Sequence, residues 1–201
     1  MSAGLEAMNG YLARLPAGLE SHSECTVRGS VVRSFLEGLP GHDAYQGVPA
    51  PLRAMVETPP LPGQWVPEVH ASALMTFAAA QFFPGTTEYR RHLHDSNYAL
   101  LDSFAYRMLF RLVPAARLLK QTAGRWAHFH RGTELLVVKQ QVDRRSATAN
   151  LHSPAHHVPP PVAEAYSMAF AAVLEISGEH EVRVDVEAVD PRNTRFQLRW
   201  A

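Results

Sequence analysis

Eleven histidines in 201 residues are the side chains best placed to do chemistry in this chain. Imidazole ligates metals and moves protons near neutral pH. The histidines gather in three places. His92 and His94 stand two apart at one helical end. His128 and His130 flank Phe129 in a connector. His152, His156 and His157 crowd a proline-rich loop. A His-x-His on a strand puts both rings on one face, but zinc needs three or four ligands converging from fixed positions. The chain has one cysteine, no CxxC and no HExxH. No metal site is therefore expected. His92, His94, His128 and His130 form the alternative set, and the plain expectation is solvated or singly hydrogen-bonded rings.

Nucleophilic chemistry has less to work with. Cys25 has only His22 and Glu24 beside it in sequence, and a reactive thiol needs a formed site that lowers its pKa. No GxSxG elbow and no glycine-rich phosphate loop is present. Gly29-Ser30 and Gly132-Thr133 read as caps or turns. No catalytic residue is assigned, and the chain reads as a non-enzyme. Lys plus Arg and Asp plus Glu are 19 each, which argues against a nucleic-acid partner. A single cysteine rules out an intrachain disulfide. No secretory signal opens the sequence, and no stretch approaches the roughly 20 apolar residues of a membrane span. A cytoplasmic protein is expected.

The remaining candidate is a pocket. The segment from Tyr98 to Leu112 carries Leu101, Phe104, Ala105, Met108 and Leu109 on one helical stripe, with Tyr106 and Phe110 beside it. Phe104, Tyr106, Met108 and Phe110 could line an apolar ligand cavity. Bulky residues at helical spacing serve a filled core equally well.

These residues need elements to hold them. Residues 1–25 read as a loosely held segment with a short helix around Leu5 to Leu15. Helical spacing follows from Val27 to Leu39, with Thr26 as its cap. Prolines from Pro40 to Pro67 allow one turn of helix at Leu52 to Glu57, in a loop that packs through Met55, Val56, Leu61 and Trp65. Glu68 to Phe83 is a helix, broken by Pro84-Gly85. Another runs from Glu88 to His94, and Asp95-Ser96-Asn97 caps the helix Tyr98 to Leu112. A further helix spans Ala115 to Gly124. Glu134 to Val142 and Ser146 to His152 form a hairpin around Asp143-Arg144, with Leu135 to Val138 partly covered on both faces. The helix after Pro161 carries Val162, Tyr166, Ala169, Phe170, Val173 and Ile176 on one stripe and stops at Gly178. Val182, Val184, Val186 and Ala188, then Phe196, Leu198 and Trp200, alternate with polar residues as two half-buried strands. The fold class is α+β: an N-terminal helical layer, then an antiparallel four-stranded sheet in strand-strand-helix-strand-strand order. Residues 26–201 read as a single ligand-binding-type domain.

Tyr89-Arg90-Arg91, the aromatic segment Tyr98 to Leu112, Pro114 to Leu119 and the ending Phe196-Gln197-Leu198-Arg199-Trp200 resemble a myxobacterial paralogous family of uncharacterised proteins of about this length. More distantly, the chain resembles the fold shared by haem-nitric-oxide sensors, 4-vinyl-reductase-type ligand domains and Golgi-tethering subunits. The resemblance implies a pocket between helices and sheet. The Tyr-x-Ser-x-Arg motif of the haem sensors is absent; Ser103-Phe104-Ala105-Tyr106-Arg107 does not match its order. Three readings follow. The first is a non-enzymatic sensory or regulatory signalling domain that binds an apolar small molecule and acts through a homodimer or a partner protein. The second is a haem or metal sensor using the four alternative histidines, with haem as its cofactor. The third is an interaction scaffold with a filled core.

Overall fold

The computed structural model describes residues 2–103, 117, 121–141 and 145–201. The helices among them are α1 (Ala3–Leu12), α2 (Gly29–Leu36), α3 (Ala50–Glu57), α4 (Glu68–Phe82), α5 (Thr86–Leu101), α6 (Thr122–Trp126) and α7 (Pro160–Ile176). The strands are β1 (Thr26–Arg28), β2 (Trp65–Pro67), β3 (His130–Arg131), β4 (Glu134–Gln141), β5 (Ser146–His152), β6 (Arg183–Asp190) and β7 (Asn193–Arg199). The architecture is α+β, with helices first and the expected β4-β5-α7-β6-β7 order after them. No described helix is long and apolar enough to cross a membrane.

The larger sheet is antiparallel, in the order β4-β5-β7-β6. Period two works as expected on β7, where Thr194, Phe196 and Leu198 are buried between half-exposed neighbours. Asp190 holds the β6–β7 turn by accepting from the Arg192 backbone N–H and the Asn193 amide, each at 2.7 Å. On β4 the outer face is open: Leu135 is buried, but Leu136 and Val138 are 45 and 54 % exposed. The two-sided cover expected for Leu135 to Val138 is corrected. One face of β4 packs on the core through Leu135 and Val137, and the other meets solvent.

The apolar face of the sheet is covered by α7. Pro160 and Pro161 open this helix where their missing N–H groups cost nothing. Gly178, at φ 98°, ends it. Phe170 meets Phe196 edge-on at 4.9 Å. The Tyr89-Arg90 pair ties α5 to this layer. Tyr89 Oη donates to the Pro161 carbonyl at 3.2 Å, and Arg90 pairs with Glu164 at 3.3 Å and donates to the Val184 carbonyl.

The capping expected at Asp95-Ser96-Asn97 does not occur. α5 runs through all three residues to Leu101. Asn97 donates to the Leu93 carbonyl at 2.8 Å and to Ala165 of α7 at 3.4 Å, so its amide serves helix packing instead of a helix start. Tertiary contact overrides the cap preference. Residues 98–101 of the expected Tyr98 to Leu112 helix belong to α5; its part from Phe104 onward, residues 115–116 and 118–120 of the Ala115 helix and the Asp143-Arg144 turn lie outside the described residues.

A second layer surrounds α4. The N-terminal segment expected to be loosely held packs here: Met8 and Tyr11 of α1 are buried against α4 beside Tyr45, Leu52 and Phe77. Thr26 does not cap α2 either. It opens β1, the centre of a small sheet in the order β2-β1-β3 that the sequence pattern did not suggest. In that sheet Trp65 lies between the guanidinium groups of Arg28 and Arg131, at 4.3 and 3.9 Å. α3 forms where one turn was allowed, starting two residues before Leu52, and Met55 and Val56 pack on the body while Leu61 is 70 % exposed.

Candidate ligand site

Helices α2, α5 and α7 meet the inner face of the larger sheet around a cavity of about 130 Å³. Its wall is mainly apolar: Phe35 from α2, Leu93 and Leu100 from α5, Phe170 and Val173 from α7, and Leu198 from β7. Trp126, His130 and Tyr166 form its polar corner.

His130 is 6 % exposed and is held from several sides. Trp126 stacks on its ring at 3.9 Å and 12°, and Tyr166 meets it edge-on at 5.2 Å. Trp126 is itself fixed, its indole N–H donating to Thr133 Oγ1 at 3.0 Å. His130 Nδ1 lies 2.6 Å from Glu68 Oε1. The local sequence explains why β3 can come so close. Gly132 follows at φ 77°, and a Cβ there would sit 2.8 Å from the Cα of Cys25, so only glycine lets the chain pass β1 in this conformation.

Glu68 is the centre of a buried polar cluster behind the cavity. It is 2 % exposed and opens α4, where a carboxylate is favoured by the helix dipole. Besides His130 it takes Tyr166 Oη at 2.7 Å and His157 Nε2 at 3.1 Å. Burial alone would raise its pKa; the charge and hydrogen bonds of His130 and His157 outweigh that and hold it down to about 2. Tyr166 is pushed well above the usual phenol range, by burial first and by the Glu68 charge second. It remains a neutral donor. Tyr11 Oη donates to the His157 carbonyl at 3.0 Å, so α1 closes the back of the cluster. Cys25 is buried beside it, its thiol donating to the Gly132 carbonyl at 3.4 Å and raised to about 12 by burial. An inert thiol follows.

The sequence-selected histidines fare differently from one another. On α5, residues two apart point to different neighbours. His92 Nε2 lies 2.9 Å from the Phe35 carbonyl, and His94 Nε2 lies 2.7 Å from Glu175 Oε2. His128 is exposed, outside β3, while His130 is buried, so the pair does not share one strand face. The four rings are not brought together. Among the described residues no group of three or more His, Cys, Asp or Glu side chains is arranged to hold a metal ion. His130 and His157 are each singly hydrogen-bonded, as expected, both to Glu68, and both are buried. Phe104, Tyr106, Met108 and Phe110 lie outside the described residues. Glu68, Trp126, His157 and Tyr166 were not singled out as site residues. An acid opening an Ala-rich helix reads as an ordinary first-turn charge, and nothing near it signals burial.

No protein-family model matches the chain, and no curated protein sequence matches it. Solved structures do. An H-NOX domain determined in work on haem distortion superposes with a TM-score of 0.56 at 9 % identity, over 86 % of this chain and 94 % of that one. An oxygen-binding H-NOX domain related to soluble guanylate cyclases gives 0.54 at 10 %, over 86 and 92 %. An H-NOX structure addressing activation gives 0.52 at 10 %, over 86 and 93 %. At this identity the likeness shows a shared fold.

Proposed function

We propose that this chain is a non-enzymatic sensory domain that holds a small, mainly apolar molecule between α2, α5, α7 and the sheet. The observation that carries the reading is the cavity itself: an apolar space beside one buried imidazole immobilised by Glu68, Trp126 and Tyr166. Pockets that bind small molecules combine mostly apolar walls with a few fixed polar groups. The size points to a small ligand, since an engineered apolar cavity of about 150 Å³ takes up benzene. Output through a partner protein or a second copy, in the cytoplasm, belongs to the same proposal. So does membership of the myxobacterial paralogous family. Of the residues that carry that likeness, Tyr89 and Arg90 fasten α5 to α7 and β6, and Phe196 and Leu198 are core.

Haem is the second reading, and the shared fold favours it over an unspecified ligand because the solved neighbours are haem-family domains. The residues here answer it in two parts. All eleven histidines are among the described residues, and His130 alone lines the cavity. Its Nδ1 is committed to a carboxylate, the arrangement that orients a metal-ligating imidazole through the other nitrogen. That donor suits haem iron. The space does not: about 130 Å³ is well below the roughly 300–1,000 Å³ of sites for drug-sized ligands. As arranged, the described residues leave too little room for a haem.

Native mass spectrometry and a visible spectrum of the purified protein test the two readings together. A small non-covalent adduct without a visible band supports the apolar ligand. A Soret band that disappears in His130→Ala puts haem in its place. Neither adduct nor band, with no stabilisation by benzene, leaves the scaffold reading.

A further inference from the structure

A second recess opens at the opposite side of the Glu68 cluster. It is a polar cleft of about 790 Å³, walled by the end of α1, the turn between β6 and β7, and the loop that follows β5. That volume falls within the range of small-molecule sites. Its rim carries Arg14, Arg192, His22, His152 and His156. Neither Arg14 nor Arg192 has an ion-pair partner among the described residues. Their carboxylate neighbours are few. Glu134 stands on the rim, exposed. Glu24 lies 4.0 Å from His22. Asp190 is committed to the Arg192 backbone and the Asn193 amide.

Two features mark the cleft as more than a charged surface. His22 and His156 both hold left-handed backbone, at φ 54° and 61°. Such conformations are uncommon for residues other than glycine, and they persist where the surrounding structure enforces them. The second feature is the His22 ring on the cleft wall: its Nε2 is buried and has no hydrogen-bond partner. The ring meets that of the wholly buried His157 edge-on at 5.6 Å. A buried imidazole nitrogen left without a partner is costly unless something else satisfies it.

We propose that this cleft is a binding site for a small anion of the carboxylate or phosphate class, held by Arg14 and Arg192 with the histidines as additional donors. The guanidinium groups offer planar, paired N–H donors suited to either anion. The proposal is independent of what occupies the apolar cavity.

Inorganic phosphate and acetate serve as probes on the whole chain, at fixed ionic strength and pH. Binding is read by calorimetry and by the nitrogen shifts of the histidine rings. We expect saturable binding of at least one probe, with the His22 and His156 resonances moving and those of His42 and His180 unmoved. Arg14→Ala and Arg192→Ala should each weaken it roughly tenfold, about 1.4 kcal/mol. Arg199→Ala, at the exposed end of β7 beside Asp185, should leave it unchanged. Phosphate binding without acetate binding would identify the anion class. Non-saturable binding of both probes, or equal weakening by Arg199→Ala, would overturn the proposal. Lost histidine shifts in the parent would do the same even if every variant failed to fold.

Discussion

The two sides of His130 obey opposite rules. Toward α5 and the sheet it faces a cavity walled by Leu93, Phe170 and Leu198. Toward α4 its neighbours are Glu68, Tyr166 and His157, and nearly every polar atom has a partner within 3.1 Å. An apolar cavity forfeits some dispersion contact. A buried carboxylate without partners is far more costly. The contrast shows how one ring can be fixed rigidly at the edge of an unfilled space: its rigidity comes from the polar side.

The largest effect should therefore come from breaking the polar side. His130→Ala and His157→Ala together, leaving Glu68 in place, should cost about 3–5 kcal/mol, the penalty of a buried charge stripped of its partner. Chemical denaturation measures it. Glu68→Gln should cost less than that double variant, because a neutral amide needs no countercharge. The apolar side offers the matched test. Phe196→Ala should also cost about 3–5 kcal/mol, as for a fully buried core aromatic. Trp200→Ala, from the same strand phase, should cost clearly less, because Trp200 is half-buried at the rim of the core. Equal losses for the two would mean that Trp200 is anchored more deeply than its exposure shows.

Acid sharpens the same comparison. The folded-state pKa of Glu68 is depressed, so its contribution is fully present above the unfolded value of about 4.3. That contribution is lost as pH falls from there toward about 2. Unfolding free energy should drop over that window, and the drop should shrink in Glu68→Gln. His94 runs the other way. Burial lowers its pKa, but the hydrogen bonds from Glu175 and Asp95 outweigh burial and raise it. Its stabilisation is complete below about 6.5 and fades as pH rises through the raised folded value. It is partly exposed, so this is the smallest effect, visible as a shallow slope that His94→Gln removes.

Much of the larger sheet could be read from residue alternation, because half-buried strands must alternate. Phe196 and Leu198 on β7 and the stripe of α7 from Val162 to Ile176 are of this kind. Local signals failed where packing outranked them. Asp95-Ser96-Asn97 is a strong cap in isolation, yet Asn97 is worth more holding α5 to α7. The β2-β1-β3 sheet joins residues about 40 and about 100 positions apart through strands of two or three residues, too short to show a period. Of the candidate site, His130 was legible as a member of a His-x-His pair. Its partners were not, since Glu68, Tyr166 and His157 come from separate elements and meet only in the folded chain. The four aromatic and Met residues from Phe104 to Phe110 remain a proposal.

The central claim is that the apolar cavity takes up a small molecule. Benzene titrated into the purified protein, followed by thermal unfolding, addresses it most directly. The melting temperature should rise with benzene concentration, approaching about 2.7 kcal/mol of stabilisation at a hundred times the dissociation constant. Ala169→Leu, which fills the space from α7, should stay folded and lose that rise. An unchanged melting temperature in the parent, or the same rise in Ala169→Leu, would contradict the claim.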